Sequence, residues 1–253
     1  MSQVIDLVIL KSLAQAKRIP VEFLRSLGVC ETHRGIEIPY RDENGNPGRT
    51  RIRTALEGDH RFLWAEGDAP VLPYGLWKLK EGRSEGFLIL VEGESDCWTL
   101  WQHGFPALGL PGASMTGKLE VTHLQDIGEL YVIHEGDSGG EIFAAGILER
   151  LQAVRYRGRA RIFRFLDTFD CKDPSELHVQ NPETFPQLIQ DAIDKLRGTP
   201  PDHDGAAESS TIQIEPKQRL SEAGWPEPLC HDAFHGLVGE IVRTIEPHTE
   251  ADP

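Results

Sequence analysis

The sequence has few cysteines and no long apolar run. Its four cysteines lie far apart and form no C-x-x-C pair. This spacing excludes the usual zinc finger or ribbon and is typical of a chain in a reducing compartment. No stretch approaches the roughly 18 apolar residues of a membrane-spanning helix, and the first residues lack the pattern of a signal peptide. We therefore expect a cytoplasmic chain without zinc and without a membrane partner.

Positive charge is also scarce. The chain has 26 Lys and Arg against 40 Asp and Glu, for a net charge of -14. This balance argues against a nonspecific nucleic-acid binder. Basic residues are nevertheless clustered in two places, and either cluster could also be a solvated surface. The first contains Arg41, Arg49, Arg51, Arg53, His60 and Arg61; the second contains Arg150, Arg155, Arg157, Arg159, Arg161 and Arg164.

The pattern of apolar residues predicts three segments. Residues 1–84 contain a helical stretch with a break at Pro20, followed by alternating strands and turns, and indicate a small basic α+β subdomain. Residues 85–197 alternate short apolar strands with helices, which is typical of a parallel α/β sheet with flanking helices. Residues 198–253 predict a flexible acidic linker and an amphipathic helix at 229–245.

Four short apolar runs mark the second segment. The runs FLILV, PALGL, ELYVI and ARIFRF predict four strands. Helices are expected from Ser95 as the N-terminal cap to His103, and over 119–127, 141–154 and 183–197. The stretch 166–177 is expected to be a loop.

Acidic residues follow three of these predicted strands. Glu92, Glu94 and Asp96 come after FLILV, Glu135 and Asp137 come after ELYVI, and Asp167, Asp170 and Asp173 come after ARIFRF. In an open parallel sheet, ligands bind beyond the carboxyl ends of the strands. Gathering carboxylates is costly unless a cation offsets them, and oxygen ligands favour a hard cation such as Mg²⁺ or Mn²⁺.

Three motifs in this order resemble the TOPRIM domain of bacterial and phage DNA primases. VEGESDCWTLWQHG resembles its first motif, VIHEGDSGG its D-x-D loop, and KDPSEL the third acidic segment. The stretch IPYRDENGNPGRTRIRT, with LPYGLWKL after it, resembles the basic subdomain that precedes TOPRIM in primases. The resemblance covers roughly residues 20–195.

The resemblance implies metal-dependent nucleotidyl transfer that makes RNA primers on single-stranded DNA, in replication of the phage or plasmid type. By motif, Glu92 and Asp96 are the catalytic acids, and the metal ligands are Glu92, Glu135, Asp137 and Asp173. Two divalent cations, Mg²⁺ or Mn²⁺, are expected. Template binding is assigned to Arg41, Arg49, Arg51 and Arg53, and nucleotide phosphate contacts to Lys118 and Lys172.

The sequence departs from the family pattern in several places. Glu135 replaces the first Asp of D-x-D, and Ser175 stands where primases often have a second acid of the third segment. No ligand set for the zinc module of bacterial primases is present. The stretch 226–253 resembles the lead-in to a helicase-like ATPase domain, so we expect a truncated primase-helicase with NTPs, single-stranded DNA and a helicase as partners.

Other functions are also open. A TOPRIM nuclease would use the same carboxylates, although the basic subdomain is a primase feature. A degenerate module that binds DNA or a partner without turnover is favoured by the missing zinc module and by Ser175. The segment Gly112–Lys118 fits G-x-x-x-x-G-K, but Leu119 takes the place of the Ser or Thr that binds magnesium in a P-loop.

Overall fold

The computed structural model describes residues 9–58 and 61–205, which belong to one compact unit. The helix expected at 229–245 and most of the linker expected at 198–225 lie outside the described residues. None of the described helices is both long and apolar enough to cross a bilayer.

The chain begins with two helices and a four-stranded antiparallel sheet. Helices α1 (Leu10–Lys17) and α2 (Val21–Ser26) are separated by Arg18 in the left-handed conformation and by Pro20, which precedes the first turn of α2. The strands that follow are β1 (Cys30–Thr32), β2 (Gly35–Ile38), β3 (Arg51–Arg53) and β4 (Phe62–Trp64), in the order β1-β2-β3-β4. They confirm the strands and turns expected in this region.

The register of the first sheet gathers arginines and aromatic rings on one face. Arg51 lies opposite Trp64, and Arg53 lies opposite Phe62. Side chains of directly opposed residues point to the same face of a sheet. Leu63 points to the other face and is 55% exposed.

A five-stranded sheet forms the second part of the unit. Its strands are β5 (Phe87–Val91), β6 (Ala107–Gly109), β7 (Glu129–His134), β8 (Arg159–Arg164) and β9 (His203–Asp204), in the order β6-β5-β7-β8-β9. The first four are parallel, and β9 is antiparallel to β8. All five residues of β5 are buried, as expected for a central strand that is covered on both faces.

Helices cover both faces of this sheet. The remaining helices are α3 (Leu79–Glu85), α4 (Glu94–Gln102), α5 (Ser138–Ala153), α6 (Phe165–Phe169), α7 (Pro174–Gln180) and α8 (Phe185–Arg197). One hydrophobic core contains residues of α1, α4, α7 and α8, and the other contains residues of α3 and α5. The expected α/β fold with flanking helices and a preceding α+β subdomain is confirmed.

Several local expectations were wrong. Helix α4 begins after Gly93, so Ser95 is not its cap, and α5 begins at Ser138 because Asp137 caps it. The stretch 119–127 contains a short 3-10 helix, Val121–Leu124. The expected loop at 166–177 contains α6 and most of α7, and ordered structure continues to β9, beyond the predicted boundary at 197. These short elements are specified by caps and tertiary contacts rather than by a long apolar period.

Contacts of Glu94 and Tyr74 help to join the antiparallel subdomain to the parallel sheet. The buried carboxylate of Glu94, at the start of α4, accepts hydrogen bonds from Tyr40 Oη at 2.6 Å and from Arg51 Nη1 at 3.0 Å. Tyr74 forms an antiparallel bridge with Gly109 of β6. Because Glu94 is only 4% exposed, it needs both donors to offset the loss of water.

Replacing Glu94 therefore tests this junction. We expect Glu94→Ala to lower the free energy of unfolding by about 3 kcal/mol, because it leaves the Arg51 charge partly buried and without its partner. Tyr40→Phe removes one hydrogen bond and should cost about 1 kcal/mol. The exposed pair of Glu22 with Arg25, at 2.7 Å, provides the control: Glu22→Ala should cost less than about 0.5 kcal/mol. Urea denaturation measures all three, and equal effects of Glu94→Ala and Glu22→Ala would contradict the assignment.

Candidate active site

The acidic side chains of the first loop point in two directions. Glu92 follows the last residue of β5, is half-buried and accepts a hydrogen bond from the backbone N–H of Ala113. Glu94 turns toward the antiparallel sheet, as described above. Asp96 is buried on the first turn of α4, where its Oδ1 accepts a hydrogen bond from the backbone N–H of Ser175 at 3.1 Å. This contact ties the first acidic loop to the third.

The second acidic loop turns sharply into α5. Asp137 caps this helix, and its Oδ1 accepts a hydrogen bond from the Gly140 N–H at 2.9 Å. A Cβ on Gly140 would lie 2.0 Å from the backbone oxygen of Glu135, so the turn requires glycine there. The turn directs Glu135 toward the cleft, and its side chain is 13% exposed.

The third acidic segment lies one short helix beyond β8. Helix α6 ends at Asp170, which has a left-handed conformation. Asp173 then caps α7 and accepts a hydrogen bond from the Glu176 N–H at 2.8 Å. Glu176 in turn accepts a hydrogen bond from the backbone N–H of Lys172 at 2.6 Å. These bonds fix the backbone on both sides of Asp173.

Three of the acids converge. One carboxylate oxygen from each of Asp96, Glu135 and Asp173 lies within 4.8 Å of the others. Burial, followed by repulsion from Asp173, raises the pKa of Glu135 to about 7. The same two causes raise the pKa of Asp96 well above its usual range. Crowded oxygen ligands with raised proton affinity suit a hard divalent cation, which would take the place of the protons.

The predicted metal ligands do not all belong to this group. Glu135 and Asp173 do, together with Asp96, which the motif comparison assigned to catalysis. Glu92 lines the same cleft but its carboxylate lies outside the trio. Asp137 also lies outside it and is 47% exposed. The parallel strands place the acidic loops at one edge of the sheet, but the caps of α5 and α7 decide which carboxylates meet.

Lys172 lies beside this centre. Its ammonium group is 2.9 Å from Asp137 Oδ2 and 3.1 Å from Glu135 Oε2. The N–H of Gly140 first and Lys172 second lower the pKa of Asp137. Lys172, which was predicted to contact a nucleotide phosphate, therefore contacts two carboxylates in this structure.

Arginines form the opposite wall of the cleft. The cleft has a volume of about 780 Å³, and Arg51, Arg53 and Arg61 face its acidic wall. The three guanidinium carbons lie 4.2, 5.1 and 5.5 Å from the centre of the Phe62 ring. Burial, with the Arg61 charge second, lowers the pKa of Arg53 to about 10. Arg51 and Arg53 thus lie where template binding predicts them, although each also has an internal partner.

The other predicted contacts lie elsewhere. Arg41 lies over the ring of Trp77, 5.9 Å from its centre, and does not line the cleft. Arg49 donates to the backbone oxygens of Ala69 and Gly67, which holds a turn of the antiparallel subdomain. Lys118 lines a separate cavity with Asp42 and Glu43. It ends a 3-10 helix, Ala113–Lys118, so this segment lacks the long helix that follows a P-loop.

Several cleft residues were not assigned a role from the sequence, among them Arg61. Lys17, at the end of α1, and Phe62, on β4, both line the cleft. A helix far along the chain gives no local signal that its last turn will reach the acidic loops. Phe62 could have been noticed from its position directly after Arg61, in the basic cluster that includes the predicted arginine strand.

The crowding of carboxylates predicts an unusual pH dependence. Between its ordinary pKa of 4.5 and about 7, Glu135 keeps a proton in the folded state that the unfolded chain releases. Stability without divalent cations should therefore fall as the pH rises through this window. We expect Glu135→Gln to raise the free energy of unfolding at pH 8 in EDTA by on the order of 1 kcal/mol, and to have no effect near pH 4.5.

The exposed Glu149 on α5 provides the control, since Glu149→Gln should change stability little at any pH. Denaturant titrations at pH 4.5, 6, 7 and 8 measure the effect. A gain that does not grow with pH would mean that the Glu135 carboxylate is not crowded.

Comparison with known proteins gives the fold. No protein-family model and no curated protein sequence matches the chain. Among solved structures, the zinc-binding and RNA polymerase domains of the Aquifex aeolicus primase match with a TM-score of 0.51, at 19% identity over 64% of this chain. The chain spans only 40% of that protein.

Two further structures match over more of their own length. A DnaG primase catalytic domain bound to single-stranded DNA matches with a TM-score of 0.56, at 16% identity, over 73% of this chain and 70% of that one. The primase fragment of the bacteriophage T7 primase-helicase protein matches with a TM-score of 0.52, at 20% identity, over 71% and 72%. Around its parallel sheet and acidic cleft, this chain therefore has the fold of the TOPRIM-type DNA primase catalytic core.

Proposed function

We propose that this chain is a primase-type nucleotidyltransferase that makes RNA primers on single-stranded DNA with the help of Mg²⁺ or Mn²⁺. The observation that carries the proposal is the cleft with carboxylates on one wall and arginines on the other. A nucleoside triphosphate with a divalent cation is complementary to both walls, because it presents the cation to carboxylates and phosphate oxygens to guanidinium groups.

The acidic wall would hold the cation. Asp96, Glu135 and Asp173 would be its ligands, and a cation held there would offset the negative charge on the phosphate oxygens in the transition state. The backbone N–H of Ser175 orients Asp96, and the caps of α5 and α7 orient the other two loops. These contacts hold the ligands in place before substrate arrives.

Glu92 is the candidate base. Burial raises the pKa of its carboxyl, which makes the carboxylate a stronger base. In the proposed reaction, the primer 3′ oxygen forms a bond to the α-phosphorus and the bond from that phosphorus to the bridging oxygen breaks. Pyrophosphate leaves, and the proton of the 3′ hydroxyl passes to Glu92.

The basic wall would bind the template or the triphosphate. Arg51 is held between Glu94 and the rings of Phe62 and Trp64, so its direction is fixed before binding. Phe62 offers a flat surface on which a base can stack. The helicase partner and the phage or plasmid setting stay predictions from the sequence.

The salt dependence of DNA binding distinguishes arginines that line the cleft from arginines that hold the fold. Arg61→Ala should weaken binding to single-stranded DNA and reduce the slope of log K against log salt by about 0.7, the value of one phosphate contact. Arg49→Ala is the matched control from the same cluster and should leave the slope unchanged, because Arg49 lies outside the cleft and donates to two backbone oxygens. Fluorescence anisotropy with an oligonucleotide at several salt concentrations measures both. Equal slopes for the two variants would contradict the assignment of the basic wall.

Primer synthesis tests the proposed reaction. Labelled NTPs on a single-stranded DNA template, with Mg²⁺ or Mn²⁺, should give short RNA products. Glu92→Gln should lower their formation about a hundredfold or more, as expected on loss of a general base. The control is Asp167→Asn, an exposed acid of α6 outside the cleft. Degradation of the template would instead show a nuclease, and DNA binding without either product would show a non-catalytic module.

A further inference from the structure

Five of the carboxylates on the acidic loops fall into an inner group and an outer pair. The inner group is the trio of Asp96, Glu135 and Asp173 described above. The outer pair is Glu92 and Asp137, which border Gly139 from two sides. A Cβ on Gly139 would lie 3.2 Å from Asp137 Oδ1 and 3.7 Å from Glu92 Oε2. Two groups of carboxylates could in principle hold two cations.

A positively charged side chain of the protein already contacts one carboxylate of the outer pair. The ammonium of Lys172 bridges Asp137 and Glu135 at hydrogen-bond distance. Its position is set from the backbone, because the Lys172 N–H donates to Glu176 and the next residue, Asp173, caps α7. The ammonium therefore lies between Asp137 of the outer pair and Glu135 of the trio.

The third acidic segment contributes one carboxylate only. Ser175, at the position of a second acid in the motif comparison, is 1% exposed and faces away from the cleft. Its hydroxyl lies 3.4 Å from Thr99 Oγ1, behind α4, and its N–H is used by Asp96. The third segment therefore adds no second carboxylate that would help a divalent cation to displace the Lys172 ammonium.

We propose that this centre binds one divalent cation, at Asp96, Glu135 and Asp173, and that the Lys172 ammonium takes the place of a second cation. The proposal rests on the proposed function, since it concerns the same metal site. An ammonium carries a compact charge with three donors, so it can hold a phosphate oxygen as well as the two carboxylates. Its single positive charge also suits the outer side of the centre, because Ser175 stands in place of a second acid in the third segment.

Counting bound Mn²⁺ tests this proposal without an activity measurement. Free Mn²⁺ is followed by electron paramagnetic resonance while the full chain is titrated at low salt. We expect about one Mn²⁺ per chain for the wild type, and about two for Lys172→Ala, because removal of the ammonium leaves Glu92, Glu135 and Asp137 as oxygen ligands with uncompensated charge. Lys172→Gln should behave like Lys172→Ala, and Lys172→Arg should retain a stoichiometry of about one.

Two further variants complete the design. Lys80→Ala removes an exposed lysine of α3 and should bind Mn²⁺ like the wild type, which controls for net charge. Asp137→Asn should leave the single site in place, whereas Glu135→Gln should weaken it about tenfold or more, as expected on loss of a ligand. Thermal melts show whether each variant is folded, and Lys172→Gln replaces Lys172→Ala if the latter is not.

The outcomes separate the proposal from the function on which it rests. Two Mn²⁺ ions on the wild type, or one on both Lys172→Ala and Lys172→Gln, would overturn the role of Lys172 and leave the metal-dependent function in place. No bound Mn²⁺ on the folded wild type would overturn both.

Discussion

Mutual repulsion of carboxylates governs the design of the cleft. Asp96, Glu135 and Asp173 meet in a partly dry space, where burial and then the charge of Asp173 raise the pKa of Asp96 and of Glu135. The fold tolerates this arrangement because the backbone holds each acid from behind, through the caps of α5 and α7 and the Ser175 N–H. A rigid and repulsive set of oxygens gains stability when a cation enters, so the same feature that weakens the empty site favours an occupied one.

The Glu94 carboxylate links the acidic loops to the basic wall of the cleft. It lies on the first turn of α4, two residues before Asp96, and binds Tyr40 and Arg51 of the antiparallel subdomain. The first turn of α4 thus presents Glu94 to the antiparallel subdomain and Asp96 to the acidic loops. The arginine face of the antiparallel sheet is fixed against the acidic loops by a buried ionic contact, and a change at Glu94 would alter the width of the cleft as well as its stability.

Much of this fold and part of the site could be predicted from the sequence. The strand FLILV and the acids after it are local signals, and parallel topology places such loops at one edge. The membership of the acidic trio could not be predicted, because it depends on the direction in which Asp96 and Asp137 leave their turns. Arg49 and Arg51 look alike on an alternating strand, yet one holds a turn and the other lines the cleft. Contacts of that kind depend on residues distant in sequence.

The net charge of -14 does not decide how a polyanion reaches the cleft. At physiological ionic strength, charges beyond about 8 Å are largely screened, so a phosphate at the cleft responds mainly to the groups that line it. Those groups include Arg51, Arg53 and Arg61 opposite the carboxylates. Burial strengthens their effect, because field lines concentrate in a cleft with low-dielectric walls. An acidic protein can therefore bind nucleic acid at one place, provided that its arginines face the site and its carboxylates carry a cation or a lysine.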